Sequence, residues 1–175
     1  MGGPHVLRHL LPRLVPALDP ALAAELGLGV LVGRLPPEDA DGWSFRTASV
    51  DRVLLPPQAD GSGLSGDSQV FGLCKAAGAR TQLDVVTVGR SRSNDVMLNH
   101  ALVSKLHARF RLGDTCTVED AGSSNGMQVD GNIITPDVPT PVFDGNMVSF
   151  GGVVLTFFRR ATLCALVMRL APRLH

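Results

Sequence analysis

Residues 83–134 read LDVVTVGRSRSNDVMLNHALVSKLHARFRLGDTCTVEDAGSSNGMQVDGNII. Short apolar and β-branched runs, Leu83–Gly89, Asp95–Leu98, Leu106–Leu112, Thr115–Asp120, Met127–Val129 and Asn132–Ile134, alternate here with clusters of Gly, Asp, Asn and Ser. No helical periodicity intervenes, and spacing of this kind predicts an all-β sandwich. Asn125-Gly126, Asp130-Gly131 and, further on, Asp144-Gly145 are tight-turn pairs, because glycine takes positive φ without a Cβ penalty. The same texture continues outward, in Gln69–Ala76 upstream and in Met147–Phe150 and Val153–Phe158 downstream.

Beyond these limits the pattern changes. Val6, Leu7, Leu10, Leu11, Leu14, Val15 and Leu18 recur at helical spacing and predict an amphipathic helix that Pro12 or Pro16 kinks or breaks. Asp19-Pro20 offers an N-cap and first-turn pair for a short helix ending at Gly27. Residues 33–42 and 56–67 are rich in Pro, Gly, Asp and Ser and read as loops around a strand pair near Trp43–Leu55. The second loop is the expected domain boundary. At the other end, Leu163, Leu166, Val167, Leu170 and Leu174 predict a short C-terminal helix that Pro172 ends early.

The chain has 175 residues, 45% of them hydrophobic, enough for one domain with a true core plus an appendage. Lys+Arg and Asp+Glu number 16 each, so no global field draws it toward nucleic acid or an anionic membrane, and neither is an expected partner. The balance is uneven, with eleven bases against eight acids in residues 68–175. Cys74, Cys116 and Cys164 lack the spacing of a zinc site or disulfide framework and read as small buried apolar residues in a reducing compartment; no metal or cofactor is expected. Arg8, Pro12, Arg13 and Pro16 interrupt the apolar N-terminus before it spans a bilayer or forms a signal sequence, so a cytoplasmic protein is expected. Gly2 lacks the Ser or Thr at position 6 that N-myristoylation wants, since Val6 stands there.

Three loop motifs carry chemistry: Gly89-Arg90-Ser91, Ser104-Lys105-Leu106-His107 and Gly122-Ser123-Ser124-Asn125-Gly126. Loops at one end of a sandwich cluster in space, so separate segments can converge on one shallow site. Together they offer a guanidinium, an ammonium, hydroxyls, an amide and the N–H groups of Gly-rich turns. Such a donor-rich set suits a dianionic phosphate with its three acceptor oxygens.

Gly89-Arg90, Ser104-x-x-His107 and Ser124-Asn125-Gly126, with Asn94-Asp95-Val96-Met97-Leu98 between the first two, resemble the signature of the forkhead-associated (FHA) domain. The resemblance covers about half the chain. It implies an FHA-type (SMAD/FHA-like) antiparallel β-sandwich over residues 68–160. Residues 1–67 would then form a helical or irregular extension of unknown role, and residues 161–175 a C-terminal helix. It also implies a phosphothreonine-dependent protein-binding module in Ser/Thr-kinase signalling, whose partner is a Thr-phosphorylated protein or peptide. By that resemblance Arg90 meets the phosphate or the adjoining peptide backbone, Ser104 bonds a phosphate oxygen and Lys105 adds a neighbouring contact. Ser124 and Asn125 hold the peptide main chain, while Gly89, His107 and Gly126 support the site. Lys105 stands where arginine is more usual, which implies a less oriented contact.

Other residues have plainer readings. Arg92 reads as a peripheral solvated charge, His100 as an exposed loop residue and Met127 as a strand residue without catalytic meaning. Gly122–Gly126 fits G-x-S-x-G, yet a nucleophile elbow needs a helix after it and a histidine downstream. A hairpin pattern follows instead, and the sole later histidine is His175, so no enzyme is expected. The alternative reading keeps the fold as a constitutive interaction module without phosphate dependence. Oligomeric state is not legible.

Overall fold

Alternation of inward and outward residues shapes the strands of the computed structural model, which describes residues 4–14, 19–36, 57–76 and 84–173. Twelve strands are among them: β1 (His5–Val6), β2 (Gly29–Gly33), β3 (Gln69–Leu73), β4 (Val85–Gly89), β5 (Val96–Met97), β6 (Ala108–Arg111), β7 (Thr117–Asp120), β8 (Met127–Val129), β9 (Asn132–Ile133), β10 (Thr140–Pro141), β11 (Met147–Phe150) and β12 (Val153–Arg159). One sheet has the order β1-β3-β2-β12-β11-β8-β9 and the other β10-β7-β6-β4-β5. Every pairing between these strands is antiparallel except β4 with β5, which run parallel with Val88 opposite Val96. The expected sandwich is therefore observed, with one parallel pair at its edge. The strand pair expected around Trp43–Leu55 lies outside the described residues.

Between the sheets lies a core containing Phe71, Val88, Phe110, Phe150, Leu155 and Phe157, with Phe110 and Phe157 stacked at 6.3 Å between ring centroids. A second apolar layer covers the outer face of β2, β3 and β12. It joins the helices α1 (Leu7–Leu14), α2 (Pro20–Leu26) and α3 (Arg160–Leu170) to Val30, Val32, Val70 and Phe158. β12 serves both layers: Val153, Leu155 and Phe157 face the sandwich core, while Phe158 lies under the helices. α1 buries Leu7, Leu10, Leu11 and Leu14 and carries Pro12 within it, and α2 begins at Asp19, whose side chain accepts from the Ala21 N–H. Arg160 ties the layer together by donating through Nη1 to the carbonyls of Ala23 (2.8 Å) and Gly27 (2.7 Å), the exposed end of the α2 dipole.

β2 departs from the sequence expectation. Gly29–Gly33 falls in the segment set apart as an extension, yet it lies between β3 and β12 with all five residues buried. Helices cover one face and the second sheet the other, so this strand shows no alternation and gave no period to read. Fully burying a side chain such as Val30, Leu31 or Val32 contributes about 1.5–3 kcal/mol. The segment expected to be a boundary loop also packs. Arg169 donates to the Asp60 carbonyl at 2.5 Å, and Gly145, at φ +89, lies so close that an added Cβ would sit 2.4 Å from Cβ of Ala59. A division at residue 67/68 thus does not coincide with an edge of the sheet. Cys116 and Cys164 are buried as expected, whereas Cys74 is half-exposed, with Sγ directed at the Glu25 carbonyl. No helix among the described residues is long and apolar enough to cross a membrane.

Candidate functional site

Four consecutive carbonyls, Leu102 to Lys105 in the loop between β5 and β6, are each held by a neighbouring loop. The Asn125 side-chain amide donates to Leu102 O (2.9 Å) and Arg90 Nε to Val103 O (3.2 Å). The backbone N–H of Arg90 takes Ser104 O at 2.9 Å, and that of Ser91 takes Lys105 O at 3.1 Å. Asn94, buried behind, donates through Nδ2 to Lys105 O (2.5 Å) and Ser91 O (2.9 Å). The approach is possible because residue 89 is glycine: a Cβ there would sit 2.4 Å from Lys105 O.

His107 fastens this frame to the loop between β7 and β8. Nδ1 accepts from the Ser104 N–H at 3.0 Å, so the imidazole proton is on Nε2, which donates to Gly126 O at 3.2 Å. The ring is fully buried, edge-on to Phe150 at 5.6 Å between centroids. Burial pushes its pKa below the ordinary 6.5, outweighing the opposite pull of the Gly126 carbonyl and Asp120. Asp120, also buried, accepts from the N–H (2.7 Å) and hydroxyl (3.1 Å) of Ser123 and so shapes the same loop. Ser104 Oγ accepts from the Ser124 N–H at 2.9 Å, joining the two hydroxyl-bearing loops.

The result is an open cavity of about 400 Å³ lined by Arg90, Ala101 to Leu106, Gly122, Ser124 and Asn125. All five residues expected to bind, Arg90, Ser104, Lys105, Ser124 and Asn125, line it, and Gly89, His107 and Gly126 lie directly behind. No carboxylate is among the described lining residues. Arg90 and Lys105 are exposed, and among the described residues neither forms an ion pair. Two unpaired cations beside hydroxyls and turn N–H groups form a place for an anion.

Further along the loop before β5, Asp95 has a nearly inaccessible side chain. Burial raises its pKa, but bonds from the backbone of Thr87 and Ala76 and from Lys75 (2.9 Å) outweigh this and hold it below the usual carboxylate range. It anchors the parallel β4–β5 pair from which the Arg90 loop springs.

One position differs from its sequence reading, and two others agree with theirs. His100 is buried, not exposed, because its Nδ1 accepts from the Leu102 N–H (3.2 Å) and folds the ring under its own loop. Met127 is a core residue of β8. Gly122–Gly126 leads into strand β8 and not into a helix, so an elbow geometry is absent there. Asn94, Asp120 and the Leu102 carbonyl had no assigned part, and neither had Gly151. The Gly151-Gly152 pair, a two-residue hairpin turn, was the signal available for the last.

The FHA domain family model matches residues 86–151, a span that contains all three motif loops. A search of curated proteins finds no match. Among solved structures, the FhaA FHA domain complexed with the intracellular domain of Rv3910 is similar at 21% identity, covering 57% of this chain and 92% of that one, with a TM-score of 0.42. Mycobacterium tuberculosis EmbR with a low-affinity phosphopeptide is similar at 29% identity over 49% of this chain and 23% of that one, TM-score 0.40. The N-terminal FHA domain of S. cerevisiae Rad53p with a phosphothreonine peptide gives 18% identity, 55% and 88% coverage and a TM-score of 0.42. Residues 86–151, the span that carries the site, therefore match the forkhead-associated domain family.

Proposed function

We propose that the cavity between the three loops receives a phosphothreonine of another protein, making the chain a reader of Ser/Thr-kinase marks and not an enzyme. One observation carries this reading: Arg90, Ser104, Lys105, Ser124 and Asn125, drawn from three separate loops, line a single cavity with no carboxylate among its described lining residues. The guanidinium of Arg90 uses Nε on Val103 O, which orients the group and leaves its terminal nitrogens for a phosphate oxygen. Lys105 adds a point charge, Ser104 a hydroxyl, and Ser124 with Asn125 meet the peptide main chain. The phosphate is the selective element, because a neutral hydroxyl offers the two cations nothing to pair with. A threonine peptide titrated calorimetrically in phosphorylated and unphosphorylated form tests the reading. Much tighter binding of the phosphorylated peptide is expected, and equal affinity for both would replace this function with a constitutive interaction module. A phosphoserine version of the peptide tests the expected preference for threonine.

A further inference from the structure

The tip of the β11–β12 hairpin touches two of the three site loops without lining the cavity. Gly151 donates its N–H to Gly126 O at 3.0 Å, the same carbonyl that His107 holds from the other side. Its Cα is pressed so closely into the frame that an added Cβ would lie 2.5 Å from Leu102 O and 2.9 Å from Cβ of Asn125. Those two residues form the tie that closes one side of the cavity. Gly151 also has φ +64, but that feature is shared with Gly131 at φ +79 in the β8–β9 turn, where an added Cβ meets nothing within 4 Å. The contact distinguishes Gly151, and the backbone angle does not. Close approach of backbone to backbone of this kind admits only a residue with no side chain.

We propose that Gly151 is a positioning residue of the phosphopeptide site: its bare Cα lets the hairpin seat against the Leu102–Asn125 tie and set the width of the cavity. The proposal rests on the function proposed above. A methyl at this position drives the Leu102 carbonyl and the Asn125 side chain apart, so the amide moves off its carbonyl and the main-chain contact of Asn125 is misplaced. Gly151 acts through the Leu102–Asn125 tie and not by contact with the peptide.

Gly151→Ala and Gly131→Ala are the variants to compare, because both carry the positive-φ strain and only the first carries the contact. Each is measured for phosphothreonine-peptide affinity and for the Asn125 side-chain amide signals in a nitrogen–proton spectrum, assigned through Asn125→Asp. Gly151→Ala is expected to lose at least tenfold in affinity and to shift the Asn125 amide signals, while Gly131→Ala keeps both near wild type. Unmoved Asn125 signals in a folded Gly151→Ala protein overturn the proposal, whatever the affinity. Should that variant fail to fold, Ser149→Ala takes its place, since the Ser149 hydroxyl holds the hairpin through the Gly152 N–H at 3.2 Å. Shifted Asn125 signals then support the assignment, and unmoved signals overturn it. If the wild-type chain does not bind the phosphopeptide, the functional reading fails, but the amide signals still report whether Gly151 sets the tie.

Discussion

His107→Ala removes the side chain that joins two site loops from behind. Two hydrogen bonds disappear, from the Ser104 N–H and to the Gly126 carbonyl, at about 1 kcal/mol each. The void beside Phe150 adds about 1–2 kcal/mol. The expected loss is about 3–4 kcal/mol, which for a chain of this size lowers the melting temperature by roughly 10 °C. Phosphopeptide affinity, measured calorimetrically well below the transition, is expected to fall by less than about tenfold, or 1.4 kcal/mol. Thermal unfolding followed by near-ultraviolet circular dichroism supplies the stability. The imidazole adds a pH signature. Its folded pKa lies below the ordinary 6.5, so the unfolded chain takes up the proton first as the pH falls. Stability from this group is complete above 6.5 and is lost progressively below it, because a protonated Nδ1 no longer accepts from Ser104. Wild-type melting should therefore fall as the pH drops below 6.5, and His107→Ala should lack that component of the slope. A melting temperature within about 2 °C of wild type, together with lost binding, would refute the reasoning and make His107 a ligand-contacting residue.

Three further outcomes follow from the same geometry. Arg90→Ala should weaken phosphopeptide binding by roughly 2–4 kcal/mol in calorimetry with the fold left intact, and wild-type affinity would remove Arg90 from the site. Asn125→Ala should weaken phosphorylated and unphosphorylated peptides alike, since it loses both the main-chain contact and the Leu102 tie; a loss confined to the phosphorylated peptide would contradict that role. Asp95→Ala should cost about 3 kcal/mol in urea unfolding, because it strands the donors of Lys75, Thr87 and Ala76 around a vacated carboxylate, and a change under about 0.5 kcal/mol would show the cluster to be dispensable.

How much the sequence disclosed depended on what each residue contacts. β8 and β11 fall where the alternation and flanking turn residues put them, because Asn125-Gly126 and Asp130-Gly131 bracket β8 and Asp144-Gly145 precedes β11. α2 likewise starts at its Asp19-Pro20 cap and stops at Gly27, signals local to the chain. β2 was illegible, since burial on both faces erases the period that would identify it. In the site, Arg90, Ser104, Lys105, Ser124 and Asn125 stood out as polar groups in turn-rich segments. The supporting bonds of Asn94, Asp120 and His100 did not, for they are made largely to backbone atoms whose meeting depends on the finished fold. Gly151 was silent for the same reason: an absent side chain matters only once something is found pressed against it.

The place of β2 in its sheet also bears on how the chain comes to fold. Its partner β12 pairs residues 29–32 with 156–159, so the ladder closes only after more than 120 further residues have been made. Contacts this far apart in sequence carry a large loop-closure entropy and slow the search for the native topology. Until β12 arrives, Val30 and Val32 and the apolar stripes of α1 and α2 lack part of the surface that later buries them. Apolar segments left uncovered in this way are the ones that favour premature association during folding.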